Sequence, residues 1–199
     1  MQYVAPIVEG HGEVEAFPAL LHRIAVAISG QGTLRVNAPV RVKSGSFLND
    51  HAYFHKQVAL AGAKAAQERG AVLILLDCED DCPATLGPDL AQRAQQVRPD
   101  VPILVALAYR EYETWFITAA RSLQGVRGLP NDLEPPDHPQ AIRDAKGWLG
   151  SRMNAGYDPV IHQLAFSRKM DLDQARANPS FNHLYEHIRT LLEGSHGTH

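Results

Sequence analysis

Ala71-Val72-Leu73-Ile74-Leu75-Leu76-Asp77 is the stretch that decides the fold. It is an unbroken apolar run rather than an alternating one, the mark of a strand covered on both faces, as in a parallel sheet with helices above and below. Its neighbours repeat the pattern. Val4-Ala5-Pro6-Ile7-Val8 is a shorter apolar run ending in the turn signal Glu9-Gly10-His11-Gly12, and residues 101–108 form another buried strand that leads through Tyr109-Arg110-Glu111-Tyr112-Glu113 into a helix. Residues 13–29 predict a helix with Val14, Phe17, Leu20, Leu21 and Ile24 on one face, and Pro18 near its start or at a kink. Residues 34–43 alternate as a half-buried strand that Pro39 assigns to an edge; residues 50–69 and 86–98 predict helices. Strands alternating with helices imply an α/β fold, a mostly parallel sheet flanked by helices.

The 199 residues suit one domain with a real core. The expected organisation is an α/β unit over 1–123, a Gly/Pro/Asp-rich loop or insertion over 124–140, a helical extension over 141–194 packed on the same unit, and a frayed tail over 195–199. Two cysteines make no disulfide framework, which points to a reducing, cytoplasmic setting. No stretch approaches the roughly 18 apolar residues of a membrane span. The N-terminus also lacks a basic region before its apolar run, so no secretory signal is expected. With a net charge of −3 and a pI near 6.3, the chain has no global basic character. If it acts on nucleic acid, a metal or a partner must supply part of the positive charge.

In open α/β sheets, ligands sit beyond the carboxyl ends of the strands. Three apolar runs end there in acids: Glu9 with Glu13, Asp77 with Glu79, Asp80 and Asp81, and Glu111 with Glu113. Carboxylates a few ångströms apart resist joint ionisation unless cations neutralise them, and Mg²⁺ or Mn²⁺ prefers such oxygen ligands. Two ions roughly 3.5–4 Å apart can stabilise the attacking and leaving oxygens of phosphodiester cleavage. Each acidic group alone is more often a turn or helix cap; their recurrence after three strands raises a metal site to equal standing with that reading.

Ile7-Val8-Glu9-Gly10 with Glu13, and Leu75-Leu76-Asp77-Cys78-Glu79, resemble the two signatures of a Toprim domain. The chain is most similar to small Toprim-like proteins of unknown function encoded beside bacterial AAA or ABC-type ATPases, related to the nuclease domain of the overcoming-lysogenization-defect family. Arg110-Glu111-Tyr112-Glu113-Thr114-Trp115-Phe116 and Pro179-Ser180-Phe181 extend the likeness. The resemblance implies a Toprim-like (Rossmannoid) sheet and an Mg²⁺- or Mn²⁺-dependent DNA nuclease, the effector of an ATPase-linked phage or plasmid defence. The alternative is a non-catalytic regulatory or nucleic-acid-binding subunit of the ATPase. By carry-over, Glu9 is the base or a metal ligand, Asp77 a ligand, and Glu13 part of the second metal position. Glu79 stands where aspartate is usual, so Glu79, Asp80 and Asp81 all remain ligand candidates, with Glu111 and Glu113 beside them. Lys146 is a candidate catalytic cation, and Arg110 and Lys169 (in Arg168-Lys169) are candidates to hold the phosphate. The oligomeric state stays open between monomer and homo-oligomer.

Other signals are weaker. His183-Leu184-Tyr185-Glu186-His187 has an inverted zinc-peptidase spacing, but the apolar stripe of that helix leaves both histidines at its border and no third ligand follows. Cys78 and Cys82 lack a second ligand pair, and Gly10-His11-Gly12 is too short for a dinucleotide fingerprint. A receiver-type phosphoacceptor needs paired acids after the first strand, where Glu9-Gly10 stands. Trp115, Phe116, Trp148 and Phe181 read as core.

Overall fold

A computed structural model describes residues 2–31 and 34–194. The tail expected at 195–199 lies outside the described residues. The strands are β1 (Gln2–Val8), β2 (Leu34–Val36), β3 (Val40–Arg41), β4 (Ala71–Asp77) and β5 (Ile103–Ala108). The first helices are α1 (His11–Ser29), α2 (Ser44–Asn49), α3 (His51–Gln67), α4 (Pro83–Val97) and α5 (Glu113–Thr118). Then come α6 (Ala145–Gly150), α7 (Pro159–Lys169), α8 (Leu172–Ala175) and α9 (Pro179–Glu193).

Every strand pairing is parallel, in the order β2-β1-β4-β5, with β3 also on β1. The fold is a Rossmann-like α/β sheet between helical layers. The unbroken apolar run of β4 is explained directly: Leu73 and Leu75 join Val4, Val8, Ala106 and Ala108 in one core, while Val72, Ile74 and Leu76 join Ala5, Ile7, Val105 and Leu107 in the other. Helix α1 and the C-terminal helices α7 and α9 cover the first face; α3 and α4 cover the second. The C-terminal helices therefore complete a layer of the sheet. Among the described residues, no helix is long and apolar enough to cross a membrane.

The strand expected over 34–43 is instead two pieces, both laid on β1, as Gln2 faces Leu34 and Ile7 faces Val40. Pro39 has no N–H to give the ladder and disfavours regular geometry at Ala38, so pairing lapses between them. The expected helix over 50–69 is preceded by the separate turn α2, because Asp50 caps α3 by accepting from Tyr53 N at 3.0 Å. Pro18 lies well inside α1 rather than near its start. The loop over 124–140 is anchored through buried Leu129 and Leu133.

This topology fixes where a site can form. From β1 the chain leaves through α1 on one face; from β4 it leaves through α4 on the other. The switch point therefore lies between the carboxyl ends of β1 and β4, beside Glu9 and Asp77.

Candidate functional site

Each acid reaches the switch point for a local reason. Glu9 follows the last residue of β1, and its carboxylate accepts a hydrogen bond from Ser44 Oγ at the start of α2. Glu13, in the first turn of α1, folds back so that Oε2 accepts from Glu9 N at 3.1 Å and Gly10 N at 3.0 Å. This satisfies amides that a helix start leaves free. A side chain at position 10 would meet Glu13 Oε1 at 2.7 Å, so the fold-back requires glycine there.

Asp77 closes β4. Its Oδ1 accepts from Tyr112 N at 2.8 Å, which ties the exit of β5 to the end of β4. Glu111 binds the start of α6, accepting Ala145 N at 3.0 Å and Lys146 Nζ at 2.8 Å. Glu113 is 0% exposed; its Oε1 accepts Tyr157 OH at 2.9 Å and Gln163 Nε2 at 3.1 Å. Gln163 reaches it because α7 crosses α1 at Gly12, where a Cβ would lie 2.5 Å from Pro159 O.

Lys146 stands among these groups. Its Nζ is 2.8 Å from Glu111 Oε2, 3.2 Å from Glu113 Oε2 and 3.8 Å from Asp77 Oδ2. The Glu113 contact is an ion pair without hydrogen-bond geometry, which leaves Oε2 buried and unbonded; Gln163 Oε1 is also buried and unbonded.

The electrostatics follow from crowding. Burial, then the charges of Glu13 and Glu113, push the Asp77 carboxyl well above the usual range, against the pull of Lys146. Burial raises Glu13 to about 7, opposed by the Gly10 amide and reinforced by Glu113. Burial alone would lower the Lys146 ammonium, but Glu113, Asp77 and Glu111 outweigh it and the group is held above its ordinary value. Tyr157 is pushed up by burial and then by Glu113, so it stays a phenol that donates. Three carboxyl groups thus share one ammonium, with Glu9 and Glu13 adding charge beside them.

The structure brings together Glu9, Glu13, Asp77, Glu111, Glu113 and Lys146 of the residues singled out in the sequence. It places the others elsewhere. Beyond Asp77 the strand alternation stops: Cys78 turns into the core, and Glu79 takes a left-handed φ of 46° and is exposed. Asp81 is exposed as well, and Asp80 pairs with Arg110 at 2.6 Å and Arg143 at 2.9 Å. Arg110 therefore serves a surface ion pair rather than facing the acidic centre. Lys169 is exposed at the far end of α7.

Ser44, Tyr157 and Gln163 escaped the sequence reading. The one available signal was the polar stripe His162, Gln163 and Ser167 on α7, which turns inward instead of outward. Trp115, Phe116 and Phe181 are core residues as expected, whereas Trp148 is only partly buried and packs under Arg152. His187 Nε2 contacts Val105 O at 3.1 Å, and Glu186 pairs with Arg176 and Arg189.

The donor set is made of hard carboxylate oxygens, one of them buried and unbonded, and it carries excess negative charge. Mg²⁺ or Mn²⁺ fits that chemistry. Among the described residues, no three acidic, histidine or cysteine side chains already converge at ligating distance. The Lys146 ammonium lies between the carboxylates instead, and it would shift for a cation to enter.

The chain matches no curated protein and no solved structure. A family model described as a domain of unknown function, DUF4276, matches residues 8–189. With nearly the whole chain inside that match, the protein belongs to the DUF4276 family.

Proposed function

We propose that the switch-point cluster is the centre of an Mg²⁺- or Mn²⁺-dependent nuclease that cleaves DNA phosphodiester bonds. The observation that carries this reading is the meeting of Asp77, Glu111 and Glu113, from two strand ends, around a single ammonium, with Glu9 from a third strand end close enough to act on Asp77. Glu9, Asp77 and Glu113 would hold the ions, with Glu111 and Glu13 beside them. A divalent cation there supplies positive charge that polarises the phosphate and acidifies an attacking water. Tyr157 and Gln163 hold Glu113 in one orientation through Oε1 and leave Oε2 without a hydrogen bond, facing Lys146. Ser44 likewise orients Glu9, the candidate base. Lys146, once released, is close enough to neutralise charge on the scissile phosphate. The likeness of the Glu9 and Asp77 segments to Toprim signatures supports the same reading, and an ATPase subunit is the partner that likeness implies.

Plasmid DNA is the test substrate. The purified chain should nick it with Mg²⁺ or Mn²⁺ and stop on chelation, and Glu9→Gln or Asp77→Asn should abolish nicking. Equal cutting by both variants would sink the assignment.

The outward turn of Glu79 favours a second reading, a non-catalytic subunit with a weakened metal site. Calorimetric titration with Mn²⁺ separates the two: no heat of binding, alone or with an ATPase partner, favours the subunit.

A further inference from the structure

Among the described residues, the sheet ends at β5, which pairs only with β4. In this parallel ladder the even-numbered residues turn their backbone groups inward: Pro102 O accepts from Val72 N at 2.9 Å and Ala108 O from Cys78 N at 3.0 Å. Ile103, Val105, Leu107 and Tyr109 therefore turn theirs to the free edge. Tyr109 N donates to Ser180 Oγ at 3.2 Å, and the His187 ring caps Val105 O. Among the described residues, no protein group bonds the N–H or C=O of Ile103 or Leu107, or the Val105 N–H.

These groups form the floor of a groove of about 1010 Å³. Helix α4 builds one wall through Pro83, Gly87 and Ala91; α9 builds the other through Pro179, His183 and His187. Among the described residues no carboxylate lines it, although the chain is acidic overall; its basic groups are Arg110, His138, His183 and His187. None of its lining residues belongs to the acidic centre.

The shape selects the occupant. Strands pair at about 4.8 Å, and a second copy, walled in the same way, would meet the helices before its edge came that close. A polyanion would find one arginine, already paired with Asp80, and no lysine. A single extended polypeptide meets neither obstacle. It can answer the free N–H and C=O groups in register and place alternate side chains against the apolar α4 wall, with the intervening ones against the histidines of α9.

We propose that this groove binds an extended segment of a partner polypeptide by strand addition to β5, apolar at the alternate positions that face α4.

The probe is a random heptapeptide library displayed on phage and selected on the full chain, followed by fluorescence anisotropy with the consensus peptide. The selected sequences should share apolar residues two apart. Methylating alternate peptide nitrogens should weaken binding more than tenfold, while methylating the intervening ones leaves it within a few-fold. Ala91→Arg, which fills the groove from α4, should lose binding more than tenfold. In the free chain, hydrogen exchange at Val105 and Leu107 should run at least tenfold faster than at Leu104 and Ala106, and slow when the peptide binds. The proposal is overturned if no peptide is enriched, if Ala91→Arg keeps full affinity, if every methylation is tolerated alike, or if the Val105 and Leu107 amides are already protected. It is equally overturned if the groove instead proves to hold a second copy, seen as a dimer that Ala91→Arg dissociates, or single-stranded DNA, seen as oligonucleotide binding that Ala91→Arg removes.

Discussion

Two acidic regions lie a few residues apart along the chain and behave as opposites. At the switch point, Asp77, Glu111 and Glu113 crowd around Lys146, with Glu9 and Glu13 coupled to them, and burial of the carboxylates limits their screening. In the turn just beyond, the exposed Asp80 meets a half-buried guanidinium from Arg110 and an exposed one from Arg143, and Glu79 and Asp81 face water. The first region has too many anions for its cation. The second has its central anion satisfied, and the Asp80 carboxyl is held below its ordinary value by Arg110 and then Arg143. Density of acids in a sequence therefore says little about chemistry; burial and the balance of partners decide it.

The contrast can be broken most sharply by activity. Asp77→Asn should lower plasmid nicking by about 100-fold or more, and Asp80→Asn by less than about twofold; equal losses would erase the distinction. The next effect is on stability against pH. Glu13 titrates near 7 when folded against 4.5 as its ordinary value, so between those values the folded chain binds the extra proton. Stability from this group is then lost as pH rises through that window. Denaturant unfolding at pH 5 and pH 8 should show the wild type losing up to about 3 kcal/mol more than Glu13→Gln across the interval; parallel curves would remove the coupling.

Removing the shared cation is expected to cost less. The Lys146 side chain is 42% exposed, so solvent screening reduces the loss. Lys146→Met should destabilise the chain by about 1–3 kcal/mol. The same variant should bind Mn²⁺ at least about tenfold more tightly by calorimetry, since the competing ammonium is gone. Arg143→Ala should change stability by less than about 0.5 kcal/mol in thermal unfolding, as an exposed ion pair does. A larger cost there would mean that the surface turn carries structural weight.

Much of this was legible along the chain. The strands β1, β4 and β5 announce themselves because a strand buried on both faces needs apolar residues at every position. Glu9, Asp77, Glu111 and Glu113 follow because each stands just past such a run. The split of the 34–43 strand depended on how Pro39 would resolve its missing donor, which local pattern leaves open. Glu79 misled because its spacing from Asp77 suits continued alternation, and a single left-handed residue ends it. Ser44, Tyr157 and Gln163 were invisible because their hydrogen bonds to Glu9 and Glu113 span 35, 44 and 50 residues.

The amino-acid pattern alone determined the kind of fold and the positions of acids at strand ends, since both depend on periodicities of a few residues. Only the tertiary structure decided which acids meet, that Lys146 stands among them, and that the edge of β5 is left unpaired. Those outcomes depend on which side of the sheet each connection takes and on where α6, α7 and α9 come to rest, and no short stretch of sequence encodes either.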